Sequence, residues 1–114
     1  MDEFPSGAPR RAGTLDLPPR KVKGWVHEVR IPLVKGESLR WETRHTLGAG
    51  IIAFNLHSHK GREVTHHATA DSSEASGTFP APWAGDFYAM WENRSEREVS
   101  VTYALERVGN RAPE

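Results

Sequence analysis

The sequence predicts an all-β protein, an antiparallel β-sandwich of about seven or eight strands preceded by a disordered N-terminal tail. Three observations support this prediction. Apolar and polar residues alternate along successive short segments, turn-forming residues separate these segments, and no window shows the 3.6-residue period of an amphipathic helix. Alternation is typical of strands that bury one face and expose the other. At 114 residues the chain is one domain at most.

The N-terminal part differs in composition from the rest of the chain. Residues 1–22 hold four of the eight prolines, together with two glycines and several basic residues. Such a segment offers little apolar surface to offset the entropy of ordering, so we predict a disordered tail. Leu15 and Leu17 alternate and indicate a short edge strand as the alternative. Residues 23–108 are predicted to form the sandwich domain, and residues 109–114 a second short tail.

Alternating segments follow one another through the predicted domain. Their inward-facing sets, in chain order, are Trp25, His27, Val29, Ile31 and Leu33; Leu39, Trp41, Thr43 and His45; Ile52, Phe54 and Leu56; Phe87, Ala89 and Trp91; and Val99, Val101, Tyr103 and Leu105. Glycine- or proline-containing turns are predicted between the segments, at Gly36, Gly48–Gly50, Gly61, Gly77 and 82–85. This pattern predicts short strands joined by tight connections, as in a sandwich.

Composition excludes several classes of function. Lys plus Arg and Asp plus Glu number 15 each, and this balance argues against a nucleic-acid-binding protein. The absence of cysteine excludes disulfides, iron–sulfur clusters, thiolate zinc sites and cysteine nucleophiles. No apolar run approaches the ~20 residues of a membrane-spanning helix. A net charge of zero gives little repulsion between copies, which is compatible with a homo-oligomer.

The first residues show no signal peptide, because 1–19 contain no apolar stretch and begin with two acidic residues after Met1. As it stands, the sequence therefore predicts a cytoplasmic chain. A chain processed from an exported precursor would look the same, and a periplasmic or secreted location is the alternative.

Histidine is concentrated in one part of the predicted sandwich. Four of the six histidines fall within eleven residues: His57, His59, His66 and His67. His57 and His59 stand two apart in a predicted strand, so both side chains project from the same face. That face is opposite to the one carrying the apolar residues of the strand. The sequence therefore predicts a histidine-rich polar face.

The turn after this strand determines which histidines meet. Gly61-Arg62 suits a two-residue hairpin turn with glycine at its first central position. In that register His57 lies directly opposite His66, with Cβ atoms about 4.5–5.5 Å apart. A loop one residue longer places His67 opposite His57 instead. The doubled histidine makes a trio with His59 available in either register.

Three imidazoles on one hairpin form a donor set for a borderline divalent metal such as copper or zinc. The leading functional prediction is a small soluble binding protein, rather than an enzyme, that coordinates such a metal through this hairpin. Its affinity is expected to fall at acid pH, because the ligands must be neutral. The alternative is a solvated strand face that is rich in histidine and binds no metal.

The string His57-Ser58-His59-Lys60-Gly61-Arg62-Glu63 has the spacing H-x-H-x-x-x-E. It resembles the first metal motif of cupins, small β-barrels that bind a metal with two histidines and a glutamate. The resemblance implies a metalloenzyme in which Glu63 joins the two histidines as a ligand. No histidine follows His67, whereas the second cupin motif supplies another ligand histidine.

A second set of motifs extends over most of the chain, from about Val29 to Leu105. Its members are Ile31-Pro32-Leu33, Leu39-Arg40-Trp41-Glu42, Ile52–Leu56, Ser76–Phe79 and the series Gly85–Asn93 before a last Val-x-Val-x-Tyr strand. Together they resemble a GOLD-type β-sandwich, the domain type of the emp24 family of secretory cargo proteins, and small bacterial proteins of this shape. The resemblance implies a jelly-roll or GOLD-like fold. It also implies the second functional prediction, a protein-interaction or ligand-binding module without metal, for which the loop residue Trp83 is a candidate anchor.

Overall fold

The chain is a sandwich of two β-sheets in the computed structural model, which describes residues 2–109. Within this range there is no helix, and the nine strands are β1 (Asp2–Glu3), β2 (Arg10–Leu17), β3 (Val26–Leu33), β4 (Ser38–Arg44), β5 (Ile52–Lys60), β6 (Glu63–Ala70), β7 (Glu74–Pro80), β8 (Gly85–Asn93) and β9 (Val99–Val108). One sheet has the strand order β1-β3-β8-β5-β6 and the other β2-β9-β4-β7. The predicted all-β sandwich is confirmed.

Residues 2–109 include no helix that is long and apolar enough to cross a membrane. The predicted C-terminal tail, apart from Gly109, lies outside the described residues.

The core lies between the two sheets and is built from the alternating apolar residues of both. Phe54 packs against Trp41 and Trp91, with ring centroids 4.7 Å and 5.2 Å apart. The Trp91 indole is completely buried, and its Nε1 donates a hydrogen bond of 3.0 Å to the hydroxyl of Thr43. A buried indole N–H needs such a partner, because an unpaired polar group inside a protein is costly. The predicted inward positions are therefore confirmed for β4, β5, β8 and β9, whereas the first two residues of the set predicted for β3 are only half-buried.

The prediction that residues 1–22 are a disordered tail is wrong for most of that segment. β2 pairs with β9 along its whole length as an edge strand, and Leu17 is buried. β1 pairs with β3 in parallel, so the sandwich is not antiparallel throughout. Phe4, which follows β1, is completely buried in the core. The sandwich thus begins near Asp2 rather than at residue 23.

Two arginines hold this N-terminal segment in place. The guanidinium of Arg107 lies 4.1 Å from the ring centre of Phe4. It donates hydrogen bonds to the backbone carbonyls of Phe4, Pro5, Ala8 and Pro32. Arg11 forms an ion pair with Asp2, and its hydrogen bonds are the main cause that lowers the pKa of Asp2 to about 2. The contacts of Arg107 join residues far apart in the sequence, which is why local composition did not reveal them.

The turn between β5 and β6 has the predicted form. Gly61 has a φ of 62°, and Arg62 is not among the residues with positive φ, as expected for glycine at the first central position of a type II′ turn. Lys60 lies opposite Glu63, and His57 lies opposite His66. The first of the two predicted registers is therefore confirmed.

A β-bulge interrupts this hairpin immediately beyond the facing histidines. His57 pairs with His66, whereas Leu56 pairs with Ala68, so His67 is one extra residue on β6. The residues after the bulge remain in step with β5, since Phe54 lies opposite Ala70. The bulge therefore separates the doubled histidine and gives its two members different surroundings.

Candidate metal centre

The outer face of the five-stranded sheet, which we call the histidine face, carries Glu28, Asn55, His57, His59, His66 and Tyr88. On β3, β5 and β8 these residues alternate with the apolar residues of the core, and His66 lies opposite His57. His57 on β5 lies directly opposite Tyr88 on β8 and His66 on β6. Glu28 is on β3, which is separated from β5 by β8 alone. The strand order thus brings a carboxylate to within one strand of the histidines.

His57 is at the centre of the histidine face and is only 5 % exposed. The Tyr88 ring stacks on its imidazole, with centroids 5.5 Å apart and an interplanar angle of 19°. Burial lowers the pKa of His57, and the nearby Glu28 carboxylate opposes this effect in part. His57 is therefore a largely desolvated imidazole held in a defined orientation.

Both ring nitrogens of His57 face oxygen atoms. Nδ1 lies 2.6 Å from Oδ1 of Asn55, and Nε2 lies 3.1 Å from Oε2 of Glu28. A neutral imidazole carries one N–H and one lone pair, so it can donate to only one of these acceptors. With the Asn55 amide in this orientation, the second contact requires either another proton or a cation between the nitrogen and the oxygen.

His59 completes a group of three potential ligands. One nitrogen of His57, one nitrogen of His59 and one carboxylate oxygen of Glu28 all lie within 4.8 Å of one another. The two imidazoles meet edge to face with centroids 5.0 Å apart, and His59 is exposed. Two imidazoles and a carboxylate suit divalent zinc, copper or iron, and three ligands leave further positions open. The group is open to solvent on the side of His59.

The structure groups two of the five predicted ligands with a carboxylate. His57 and His59 are brought together as expected. His66 is exposed opposite His57, with ring centroids 6.0 Å apart, and is not part of the three-residue group. Glu63 is exposed at the end of the hairpin, opposite Lys60, and is not part of that group either. Glu28 is the carboxylate that stands beside the histidines.

His67, the bulge residue, packs on the opposite side of the sheet. Its Nε2 lies 2.8 Å from the hydroxyl of the buried Ser58. Three aromatic rings surround the imidazole at centroid distances of 4.7 Å for Phe79, 5.5 Å for Phe87 and 5.8 Å for Trp83. Burial is the main cause that lowers the pKa of His67. These contacts place His67 in an aromatic cluster rather than on the histidine face.

Trp83 is the most exposed aromatic residue of this cluster. It lies in the loop between β7 and β8, packs on Phe87 and is 47 % exposed. Its indole therefore combines packing at the edge of the sandwich with a surface that is free to contact another molecule.

Sequence reasoning did not identify Glu28 as a site residue. The available signal was its parity, because Glu28 alternates with the buried Val29 on β3 and so lies on the polar face of that strand. The pairing of β3 with β8 and of β8 with β5 was also needed. Strand order of this kind is a long-range property that alternation does not provide.

Comparisons with known proteins bear on the fold. No protein-family model matches the chain, and no curated protein matches it. Among solved structures, the chain is similar to the crystal structure of Aeromonas hydrophila PliG, a periplasmic lysozyme inhibitor of g-type lysozyme. The TM-score is 0.54 at 13 % sequence identity, and the match covers 94 % of this chain and 95 % of PliG. At this identity the similarity shows a shared small β-sandwich fold.

Proposed function

We propose that this protein is a small binding protein that takes up a divalent transition metal, copper or zinc, on its histidine face. The ligands are Glu28, His57 and His59. The observation that supports this function is the position of His57, whose two nitrogens both face acceptor oxygens while a second imidazole stands nearby. A cation between Nε2 and the Glu28 carboxylate satisfies both groups with a neutral imidazole.

The surroundings of His57 favour a cation at this position. Burial lowers its pKa and so favours the neutral form that a metal requires. Glu28 supplies a negative charge, which offsets part of the positive charge of a divalent ion. His66 is exposed on the same face and can supply a fourth ligand after a side-chain rotation, with solvent as the alternative.

The test begins with the purified protein, prepared without a histidine tag. Elemental analysis measures bound metal, and calorimetric titration with copper(II) and zinc(II) measures affinity at about pH 7.5 and about pH 5.5. We expect one site per chain, with weaker binding at the lower pH because imidazoles become protonated there. Absence of a stoichiometric site would contradict the proposal.

A pair of variants locates the site. His59→Ala removes an exposed ligand and is expected to weaken binding by about 10-fold or more, a loss at least as large as that for outer-shell partners. Lys60→Ala changes the next residue of β5, which is also exposed and has the opposite parity, and it is expected to leave the affinity unchanged. Equal effects of the two substitutions would place the metal elsewhere.

Protein binding without metal is the second candidate, in the form of the GOLD-type interaction module predicted from sequence. It is favoured by the similarity, over nearly the full length of both chains, to a protein described as an inhibitor of g-type lysozyme. Trp83 is the residue that we expect to contact the partner. The test is inhibition of a g-type lysozyme by the wild type and by Trp83→Ala, with and without a chelator. Chelator-insensitive inhibition that the variant lacks would support this candidate over the metal site.

A further inference from the structure

Asn55 lies on the histidine face two residues before His57. In a strand, residues two apart project from the same face, so the amide is placed beside the imidazole. Its Oδ1 is 2.6 Å from Nδ1 of His57. Asn55 is itself flanked by Met90 on β8 and Thr69 on β6, which are its cross-strand partners. The amide is therefore held between two neighbouring strands next to the metal ligand.

The Asn55 oxygen restricts how His57 can bind a metal. When Nδ1 carries the hydrogen, it donates to Oδ1 of Asn55, and the lone pair of the imidazole is on Nε2. Nε2 is the nitrogen that lies 3.1 Å from the Glu28 carboxylate. The stacked Tyr88 ring limits rotation of the imidazole out of this orientation. Nδ1 is thus occupied by the Asn55 oxygen, and the lone pair of Nε2 is available to a metal on the side of Glu28.

We propose that Asn55 is a positioning residue that selects Nε2 of His57 as the metal-binding atom. The proposal rests on the metal-binding function proposed above and adds a residue that does not touch the metal. Metal-binding histidines usually donate their other ring N–H to an oxygen, which fixes both the tautomer and the ring orientation. Asn55 performs this role from the same strand, and it directs the metal to the side of His57 that faces Glu28.

Zinc titration of four proteins tests the positioning role. Asn55→Ala removes the acceptor and is expected to weaken zinc binding by about 10- to 100-fold, the range for such partners. Asn55→Asp keeps an acceptor for Nδ1–H and is expected to stay within a few-fold of the wild type. Thr69→Ala is the matched control, because Thr69 lies opposite Asn55 on the same face and is expected to leave the affinity unchanged.

A spectroscopic measurement separates positioning from a general structural effect. Long-range ¹H–¹⁵N correlation spectra of the zinc-loaded wild type should show His57 bound through Nε2 with a proton on Nδ1. Binding through Nδ1 in the wild type would overturn the proposal, as would zinc affinity in Asn55→Ala equal to that in Thr69→Ala. Absence of zinc binding by the wild type would overturn the metal-binding function as well, so the two failures are distinguishable.

Discussion

Nε2 of His57 lies 3.1 Å from a carboxylate oxygen of Glu28, although these residues belong to strands that are not neighbours. β8 runs between them, and the two side chains meet above it on the outer face of the sheet. The His57 side chain is 6 % exposed and that of Glu28 is 26 % exposed, so the contact is largely shielded from solvent. A charged group in such a position interacts more strongly than it would at a fully exposed surface.

Substitution of Glu28 should therefore weaken metal binding selectively. Glu28→Gln keeps the size of the side chain but removes the negative charge, and we expect zinc affinity to fall by about 10-fold or more. Glu63→Gln is the matched control, because Glu63 is exposed at the end of the hairpin. Calorimetric titration compares the two variants. A larger loss for Glu63→Gln would instead favour the cupin-type metalloenzyme with Glu63 as a ligand.

The two adjacent histidines of β6 should respond differently to alanine substitution. His66→Ala is expected to reduce zinc affinity less than His59→Ala, because His66 is not one of the three grouped ligands. His67→Ala is expected to leave zinc affinity unchanged. It should lower the free energy of unfolding by about 1–3 kcal/mol, since Ser58 loses its partner inside the sandwich. Denaturant titration measures the second effect, and a loss of zinc binding in His67→Ala would contradict the assignment.

A side chain at Gly77 should destabilise the fold, because the Trp41 indole lies against this position. A Cβ at this position would be 2.7 Å from Cζ2 of Trp41, which is closer than van der Waals contact allows. We expect Gly77→Ala to lower the free energy of unfolding by about 1–3 kcal/mol. Gly48→Ala is the control, since a Cβ there would meet nothing within 4 Å and the φ of Gly48 is not positive. Equal stability of the two variants would show that the indole moves away.

The metal-free protein should become less stable as the pH is lowered from about 7.5 to about 5.5. Burial lowers the pKa values of His45, His57 and His67 in the folded state below the 6.5 of an ordinary histidine. Below about pH 6.5 the histidines of the unfolded chain bind protons more readily than the buried histidines of the folded chain. Stability is therefore retained above about pH 6.5 and falls as the pH drops toward the folded-state pKa values.

Thermal unfolding in the presence of a chelator, measured at several pH values, tests this pH dependence. Each additional proton bound by the unfolded state contributes a slope of up to about 1.4 kcal/mol per pH unit. His45→Gln is expected to give a shallower dependence, because it removes one of the buried imidazoles. A melting temperature that stays constant over this range would contradict the prediction.

Local patterns were sufficient for β3, β4, β5, β8 and β9 and for the hairpin of β5 and β6. The register of β5 and β6 follows from Gly61, whose positive φ allows a turn of only two residues, Gly61 and Arg62. The inward and outward faces follow from alternation. Gly77 was predicted in a turn but lies in the middle of β7, because the space above it is filled by Trp41. A glycine that accommodates a distant ring cannot be distinguished by sequence from one that permits a turn.

Long-range contacts account for what sequence reasoning missed. The N-terminal segment is ordered by Arg107, which bonds to carbonyls about a hundred residues away in the chain, and by the burial of Phe4. Glu28 joins the histidines through the order of three strands. Both depend on which strands are neighbours, and this is set by packing of the whole domain rather than by any window of residues.

The bulge has a consequence for how the sequence can change. Loss of one codon at either histidine of the pair gives the same protein, with a single histidine between Thr65 and Ala68. Leu56 would still lie opposite Ala68 and the remaining histidine opposite His57, so the ladder would continue without interruption. The outer face would keep its full complement of residues, while Ser58 and the aromatic rings would lose their imidazole. One in-frame deletion would thus remove the imidazole that contacts Ser58 and the aromatic rings, and it would keep the histidine that lies opposite His57.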